Sequence, residues 1–251
     1  MDDISVQIQR FVDVAIKRCQ KLSFKEKTHG IWNKHEIIKY ISELPEDTVT
    51  QYLANQIHTI LGDKESRKIL CVGGGTGKLG RAIISRHIKY SVTELDLSEE
   101  MVKMANNLAI EHGLKDRYIS VKGDICSLPF PDGSFDYVVG HGVFRYLDHE
   151  AQEKAFKEML RVSKNGGIIS EGKAKEVMYR IRDVYSPSES VIENEMPMFR
   201  MSLFYMLYYF YETDSDFKKL VDHSDHGDHI KTLNRLAGES NGILYELIIR
   251  N

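Results

Sequence analysis

The chain has 251 residues, 42% of them hydrophobic and 28% charged, with a formal net charge of −3 at pH 7. This composition fits one α/β domain with elaborations, and it argues against a global basic field that would draw the protein to nucleic acid or anionic lipid. The longest apolar run, residues 201–211, is too short for a membrane span, and the widely spaced Cys19, Cys71 and Cys126 read as reduced thiols of a cytoplasmic protein.

Residues 1–11, MDDISVQIQRF, are acidic and amphipathic and do not read as a secretory signal. Ile4, Ile8, Phe11, Ala15, Cys19 and Leu22 recur at spacings of three and four, which predicts one face of a helix. A polar stretch leads to HGIWNKHEIIKYISEL and Pro45, then to a predicted helix, DTVTQYLANQIHTILG, closed by Gly62. From Arg67 the pattern changes to short apolar runs alternating with amphipathic segments. KILCV, YSVTELD, YISVKG, FDYVVGH and GGIISEG read as strands. KLGRAIISRH, SEEMVKMANNLAIEHG and HEAQEKAFKEMLRVSK read as helices. That alternation predicts a parallel sheet with helices on both faces. After Glu171 the rhythm breaks: residues 173–212 are rich in Met, Tyr and Phe. The final GILYELIIRN reads as one more strand, at an edge of the sheet.

The glycine-rich residues 68–80, KILCVGGGTGKLG, admit three readings. A phosphate loop, G-x-x-x-x-G-K-[ST], fails at Val72, which stands for its first glycine, and at Leu79, which stands for its hydroxyl. The dinucleotide pattern G-x-G-x-x-G is present as Gly75, Gly77 and Gly80, but out of register with the end of the strand. The spacing of Tyr118 and Lys122 suits a reductase pair only on a helix, and these two lie in a predicted strand. The third pattern, G-x-G-x-G, is filled by Gly73, Gly75 and Gly77, and it lets the backbone approach a ligand whose anion meets the helix start. The glycines alone do not decide among the three.

The strands that follow do. Asp96 ends the second strand, where it can accept both hydroxyls of a ribose. GDICSLPFPDGSFDYVVGHGVFRYL supplies a second acid, Asp124, at the end of the third strand, then a turn and a buried strand beginning at Phe135 and Asp136. KEMLRVSKNGGIIS adds a helix, a turn and a fifth strand. In this order and spacing, residues 67–171 resemble the class I S-adenosylmethionine-dependent methyltransferases of small-molecule type. The resemblance implies a Rossmann-like fold: a seven-stranded, mostly parallel sheet with an antiparallel last strand and helices on both faces. It implies one domain, with residues 1–50 as an N-terminal helical cap, 51–172 and 213–251 as the core, and 173–212 as an apolar helical lid over the acceptor. The implied cofactor is S-adenosyl-L-methionine. Gly73, Gly75 and Gly77 would face its methionine moiety, Asp96 its ribose, Leu97 its adenine ring, and Asp124 with the Ile125 backbone its adenine edge. His141 would stand near the sulfonium. The chain departs from the family at Cys71, where an acid is usual, and at Arg145 and Tyr146, where many relatives carry His or Trp.

Methyl transfer is an in-line displacement, so the protein mainly aligns the reactants and excludes water. A weakly acidic acceptor also needs a base, and His141 is the best-placed candidate; packing on the cofactor is its alternative. Arg145 and Tyr146 either orient an acceptor or pair with an acid and pack on the sheet. Helical spacing brings Phe199, Leu203, Met206 and Phe210 together. They form a wall for an apolar acceptor, a packed core, or a homodimer contact. DHSDHGDH, residues 222–229, offers histidines three apart, which diverge on a regular helix, so a hydrated turn is favoured over a metal site. The expected function is methyl transfer to a small, partly apolar acceptor, with no metal, no membrane and no nucleic acid. RNA or protein methylation, or a non-catalytic cofactor-binding subunit, are the alternatives.

Overall fold

In the computed structural model the described residues are 9–10, 12–14, 34–43, 48–63, 65–172, 175–185, 190–199, 204, 207–208, 211–224, 228–237 and 239–249. Their contacts divide the chain into two compact units. One comprises residues 1–37 and 197–241, the other residues 38–196 and 242–251.

In chain order the elements are α1 (His35–Glu43), α2 (Thr48–Leu61), β1 (Arg67–Val72), α3 (Lys78–Arg86), β2 (Tyr90–Asp96), α4 (Glu99–Glu111) and β3 (Tyr118–Lys122). Then follow β4 (Tyr137–His141), a 3₁₀ turn (Phe144–Tyr146), α5 (His149–Val162), β5 (Gly167–Gly172), α6 (Lys175–Tyr185), β6 (Val191–Phe199), α7 (Ser215–Ser224), α8 (His229–Ala237) and β7 (Glu239–Ile249). Residues 9–10 and 12–14 are helical as well, in line with the periodicity at the start of the chain. Among the described residues no helix is long and apolar enough to cross a membrane.

The seven strands lie in the order β3-β2-β1-β4-β5-β7-β6. β1 through β5 pair in parallel, and β7 runs antiparallel to β5. The last strand was expected at an edge; it lies between β5 and β6, and β6 forms the edge. β6 arises from residues read as part of the apolar lid.

The central strands are buried on both faces, so they read as unbroken apolar runs. Alternate side chains of β1 serve two cores. Leu70 and Val72 join Val138, Phe156, Met159, Val162, Ile169 and Leu247 on one face. Ile69 and Cys71 join Ile57, Ala82, Ile83, Tyr137, Val139 and Ile168 on the other. The helix starts follow local chemistry: the Ser98 hydroxyl accepts from the Met101 N–H at the start of α4, and the Asp148 carboxylate from the Ala151 N–H at the start of α5. Chain order reverses between β1 and β4, and the glycine turn leaves β1 at that switch point, where open α/β sheets receive ligands.

In the other unit, Phe204, Leu207, Tyr208, Tyr211, Phe217, Val221 and Leu233 are buried. Phe204, Leu207, Tyr208 and Tyr211 of the Met- and Tyr-rich stretch are therefore core residues.

Candidate cofactor-binding and active site

The turn after β1 is held against β2. Gly73 and Gly74 donate their N–H groups to the Leu95 carbonyl at 2.8 and 3.2 Å. Gly75 donates to Asp96 Oδ2 at 2.9 Å. Gly73, Gly75 and Gly77 have φ of 66°, 58° and 84°, a left-handed conformation that favours glycine. A Cβ on Gly73 would lie 2.7 Å from Val143 Cγ2, so a residue beyond β4 closes that side of the turn. Gly75 faces open space: a Cβ there would meet no atom within 4 Å. These glycines thus leave room for a ligand at one point and fill it with protein elsewhere.

Asp96 links the turn to the helix start that follows it. Its Oδ1 accepts from the Ser98 N–H at 2.9 Å while Oδ2 holds Gly75. Burial pushes its acidity weaker than usual, and the N–H donors of Ser98, Gly75 and Leu97 oppose that shift. A carboxylate offers about four lone-pair sites, so acceptor capacity remains for vicinal hydroxyls. Leu97, beside it, is 71% exposed, an apolar surface at the ligand edge of the sheet. Asp124 is exposed and accepts from the Cys126 N–H at 2.8 Å, while the Ile125 side chain is buried in the core. An open glycine cradle, a strand-end acid with spare acceptor capacity and an exposed apolar side chain fit a nucleoside carrying a flat ring.

His141 ends β4 and is half-buried, with Nδ1 3.3 Å from Ser170 Oγ. The register sets His141 beside Ser170 of β5 and Ser170 beside Glu246 of β7. A histidine, a hydroxyl and a buried carboxyl therefore form one row on one face of the sheet. The Tyr52 hydroxyl of α2 donates to Glu246 at 2.9 Å.

Arg145 pairs with an acid: its Nε donates to Glu171 Oε2 at 2.6 Å, and Oε1 of the same carboxylate accepts from the Phe144 N–H at 2.7 Å. Glu171 is fully buried. Tyr146, next in the chain, is half-buried, and burial strongly raises the pKa of its hydroxyl, with Glu171 and Asp96 adding to that effect against Arg145.

Cys71 is buried, and burial followed by the nearby Glu94 pushes its thiol well above the usual range. It is a neutral side chain, so the missing acid at this position is not supplied by a thiolate. Glu94, its register partner on β2, belongs to none of the sequence motifs, and it is fully buried. Its Oε1 accepts from the Gly80 N–H at 3.0 Å and its Oε2 from the Tyr118 hydroxyl at 2.5 Å. Tyr118 thus has a partner across the sheet and shares none with Lys122.

Of the residues expected to share a helical face toward the acceptor, Phe199 ends strand β6 and so is not on a helix, and Leu203, Met206 and Phe210 lie outside the described residues. In DHSDHGDH, Asp222 accepts from the Tyr211 hydroxyl at 2.9 Å. Asp228 accepts from the Lys231 N–H at 3.0 Å at the start of α8, and His229 stacks on Tyr211 at 4.3 Å between ring centroids. Asp225, His226 and Gly227 of this stretch lie outside the described residues, and among the described residues no group of His, Cys, Asp or Glu could hold a metal ion.

Residues 69–167 match the sequence model of a family described as a methyltransferase domain. The sterol 24-C-methyltransferase ERG6B of Gibberella zeae is 37% identical over 118 residues, covering 47% of this chain and 29% of that protein. The ubiquinone/menaquinone biosynthesis C-methyltransferase UbiE of Shewanella woodyi is 32% identical over 133 residues, covering 50% of this chain and 51% of that one. The chain thus spans between about a third and half the length of these relatives. Phosphoethanolamine N-methyltransferase 2 of Haemonchus contortus has the same fold, with a TM-score of 0.59 at 15% identity over 92% of this chain and 61% of that one. With the glycine turn, the strand-end acids and the strand order, these likenesses place residues 69–167 in a class I S-adenosylmethionine-dependent methyltransferase domain.

Proposed function

We propose that the protein transfers a methyl group from S-adenosylmethionine to a small, partly apolar or aromatic acceptor. The observation that carries the reading is the union of an open Gly75 with Asp96, one hydrogen bond apart at the switch point of the sheet. When bound, S-adenosylmethionine supplies an electrophilic methyl on a sulfonium and leaves as S-adenosylhomocysteine. The chain's part is to hold and align. Gly73, Gly75 and Gly77 would receive the methionine moiety, Asp96 the ribose, and Leu97, Asp124 and the Ile125 backbone the adenine. His141, oriented through Ser170, would take the acceptor's proton where the acceptor is weakly acidic. Tyr146 would line the acceptor side, with Arg145 held beside it by Glu171.

An apolar acceptor is supported by the two relatives, whose names specify C-methylation of a sterol and C-methylation in quinone biosynthesis. It is also supported by the composition around Phe199, Leu203 and Met206. The test is calorimetry with S-adenosylhomocysteine, followed by single-turnover transfer to a panel of apolar acceptors. Binding together with acceptor-dependent product supports the reading. Binding with no transfer to any small molecule, RNA or protein would favour a non-catalytic subunit. Replacing His141 by Ala should slow transfer by about a hundredfold or more with little change in cofactor affinity, and undiminished transfer would remove it as the base.

A further inference from the structure

Glu94 lies directly beneath the glycine turn, and the turn is shaped around it. A Cβ on Gly74 would come 2.6 Å from Glu94 Oε2, and one on Gly80 2.3 Å from Oε1. A Cβ on Gly77 would come 3.2 Å from Oε2 and 2.3 Å from the Tyr118 hydroxyl oxygen. Three glycines therefore give up their side chains to admit one buried carboxyl and its tyrosine. The charged and titratable groups facing it are Tyr118 from β3, Arg81 from α3, Cys71 from β1 and Asp96 from β2 itself. Arg81 is in turn tied to the turn, donating from Nη1 to the Thr76 carbonyl at 2.6 Å.

We propose that Glu94 is a positioning residue for the cofactor: its carboxylate, one backbone thickness below the turn, fixes the glycines and draws the cofactor's positive charge onto them. The inference rests on the cofactor assigned under the proposed function. The neutral Cys71 cannot provide that charge. Asp96 has its oxygens directed to the N–H groups of Gly75 in the turn and of Ser98 at the start of α4.

The carboxyl is also poised to exchange a proton. Burial raises its pKa to about 8, against the opposing effects of Tyr118, Arg81 and the Gly80 N–H. A cation arriving on the other side of the turn lowers the cost of ionising it, so binding sends the proton to solvent. The bound state then holds fewer protons than the free one, and affinity rises with pH until the free carboxyl is itself ionised.

The experiment is titration of the full chain with S-adenosylmethionine from about pH 6 to 9, in buffers of different protonation enthalpy, for the wild type and Glu94→Gln. The cofactor's own amino group titrates identically in both, so the ratio of affinities isolates Glu94. The expected result is a ratio that grows with pH to about tenfold in favour of the wild type, with proton release lost in the variant. A ratio that stays flat, or proton release that persists in Glu94→Gln, overturns the proposal. Where Glu94→Gln does not fold, Tyr118→Phe carries the test. Removing a donor to the carboxylate should move the rising limb of affinity to higher pH, and an unmoved limb overturns the proposal. A wild type that binds neither S-adenosylmethionine nor S-adenosylhomocysteine would instead overturn the cofactor assignment.

Discussion

Arg145 and Glu171 form a buried ion pair at the end of the sheet that would face an acceptor, 2.6 Å from Nε to Oε2. The carboxylate is fully buried and the guanidinium side chain is 22% exposed. Its second oxygen holds the Phe144 N–H, so Glu171 fixes the 3₁₀ turn carrying Phe144, Arg145 and Tyr146. Removing one partner of such a pair leaves a charge and a backbone donor uncompensated. Glu171→Ala should cost about 3 kcal/mol in urea unfolding. Glu171→Gln, which keeps an acceptor for Phe144, should cost less. Equal midpoints for Glu171→Ala and the wild type would show that the pair does not hold this turn.

Asp96 should be the residue whose loss most weakens cofactor binding. It bonds the turn through Gly75 and the start of α4 through Ser98, and a carboxylate keeps acceptor capacity beyond those two bonds. Hydrogen bonds to a charged group are the stronger class, so Asp96→Ala should lower S-adenosylhomocysteine affinity on the order of 10- to 100-fold. Unchanged affinity by calorimetry would move the ribose site away from Asp96.

The parallel core was legible because its strands are buried on both faces: Ile69–Val72 and Tyr137–Gly140 are apolar without interruption. Asp96, the last residue of β2, and Asp124, two residues past β3, were legible as candidates because open α/β sheets receive ligands at the carboxyl ends of their strands. β6 was not. An edge strand need not bury both faces, and Val191–Phe199 carries Glu, Asn and Pro197, residues that only an edge tolerates together. Glu94 and Glu171 escape a reading of the sequence because their partners come from elsewhere in the chain: Tyr118 and Gly80 for one, Phe144 and Arg145 for the other. A signal was present for Glu171, an acid closing the run GIIS, whereas Glu94 stands among the mixed residues of YSVTELD. Glu94 also lies two residues before Asp96, on the same face of β2. Gly80, which completed a misleading dinucleotide pattern, owes its lack of a side chain to Glu94.

That explanation of Gly80 can be tested by itself. Gly80 is the third residue of α3, where alanine would ordinarily stabilise a helix by about 1 kcal/mol. Here the added Cβ meets Glu94 Oε1 at 2.3 Å, and the backbone bond to that oxygen prevents an easy retreat. Gly80→Ala should therefore destabilise by about 1–3 kcal/mol. In a Glu94→Ala background the same substitution should become neutral or stabilising. Destabilisation of equal size in both backgrounds would mean that something other than Glu94 requires the glycine.

The pH dependence of folding should carry the mark of the same carboxyl. An ordinary glutamate loses its proton near 4.5, and burial holds the proton on Glu94 until about 8. Between those values the folded protein binds more protons than the unfolded chain, so this group's contribution makes stability fall as pH rises through the window and level off above it. The amide of Glu94→Gln resembles the neutral acid and does not ionise. Urea unfolding should find the variant close to the wild type near pH 5 and more stable than it near pH 8, by an amount on the order of a few kcal/mol. Parallel stability curves across that range would mean that Glu94 does not retain its proton in the folded state. The two expectations for Glu94 then stand or fall on one proton. Its ionisation opposes folding of the free protein and favours the cationic cofactor, so the rise in affinity should end where the loss of stability ends, as the free carboxyl becomes ionised near pH 8.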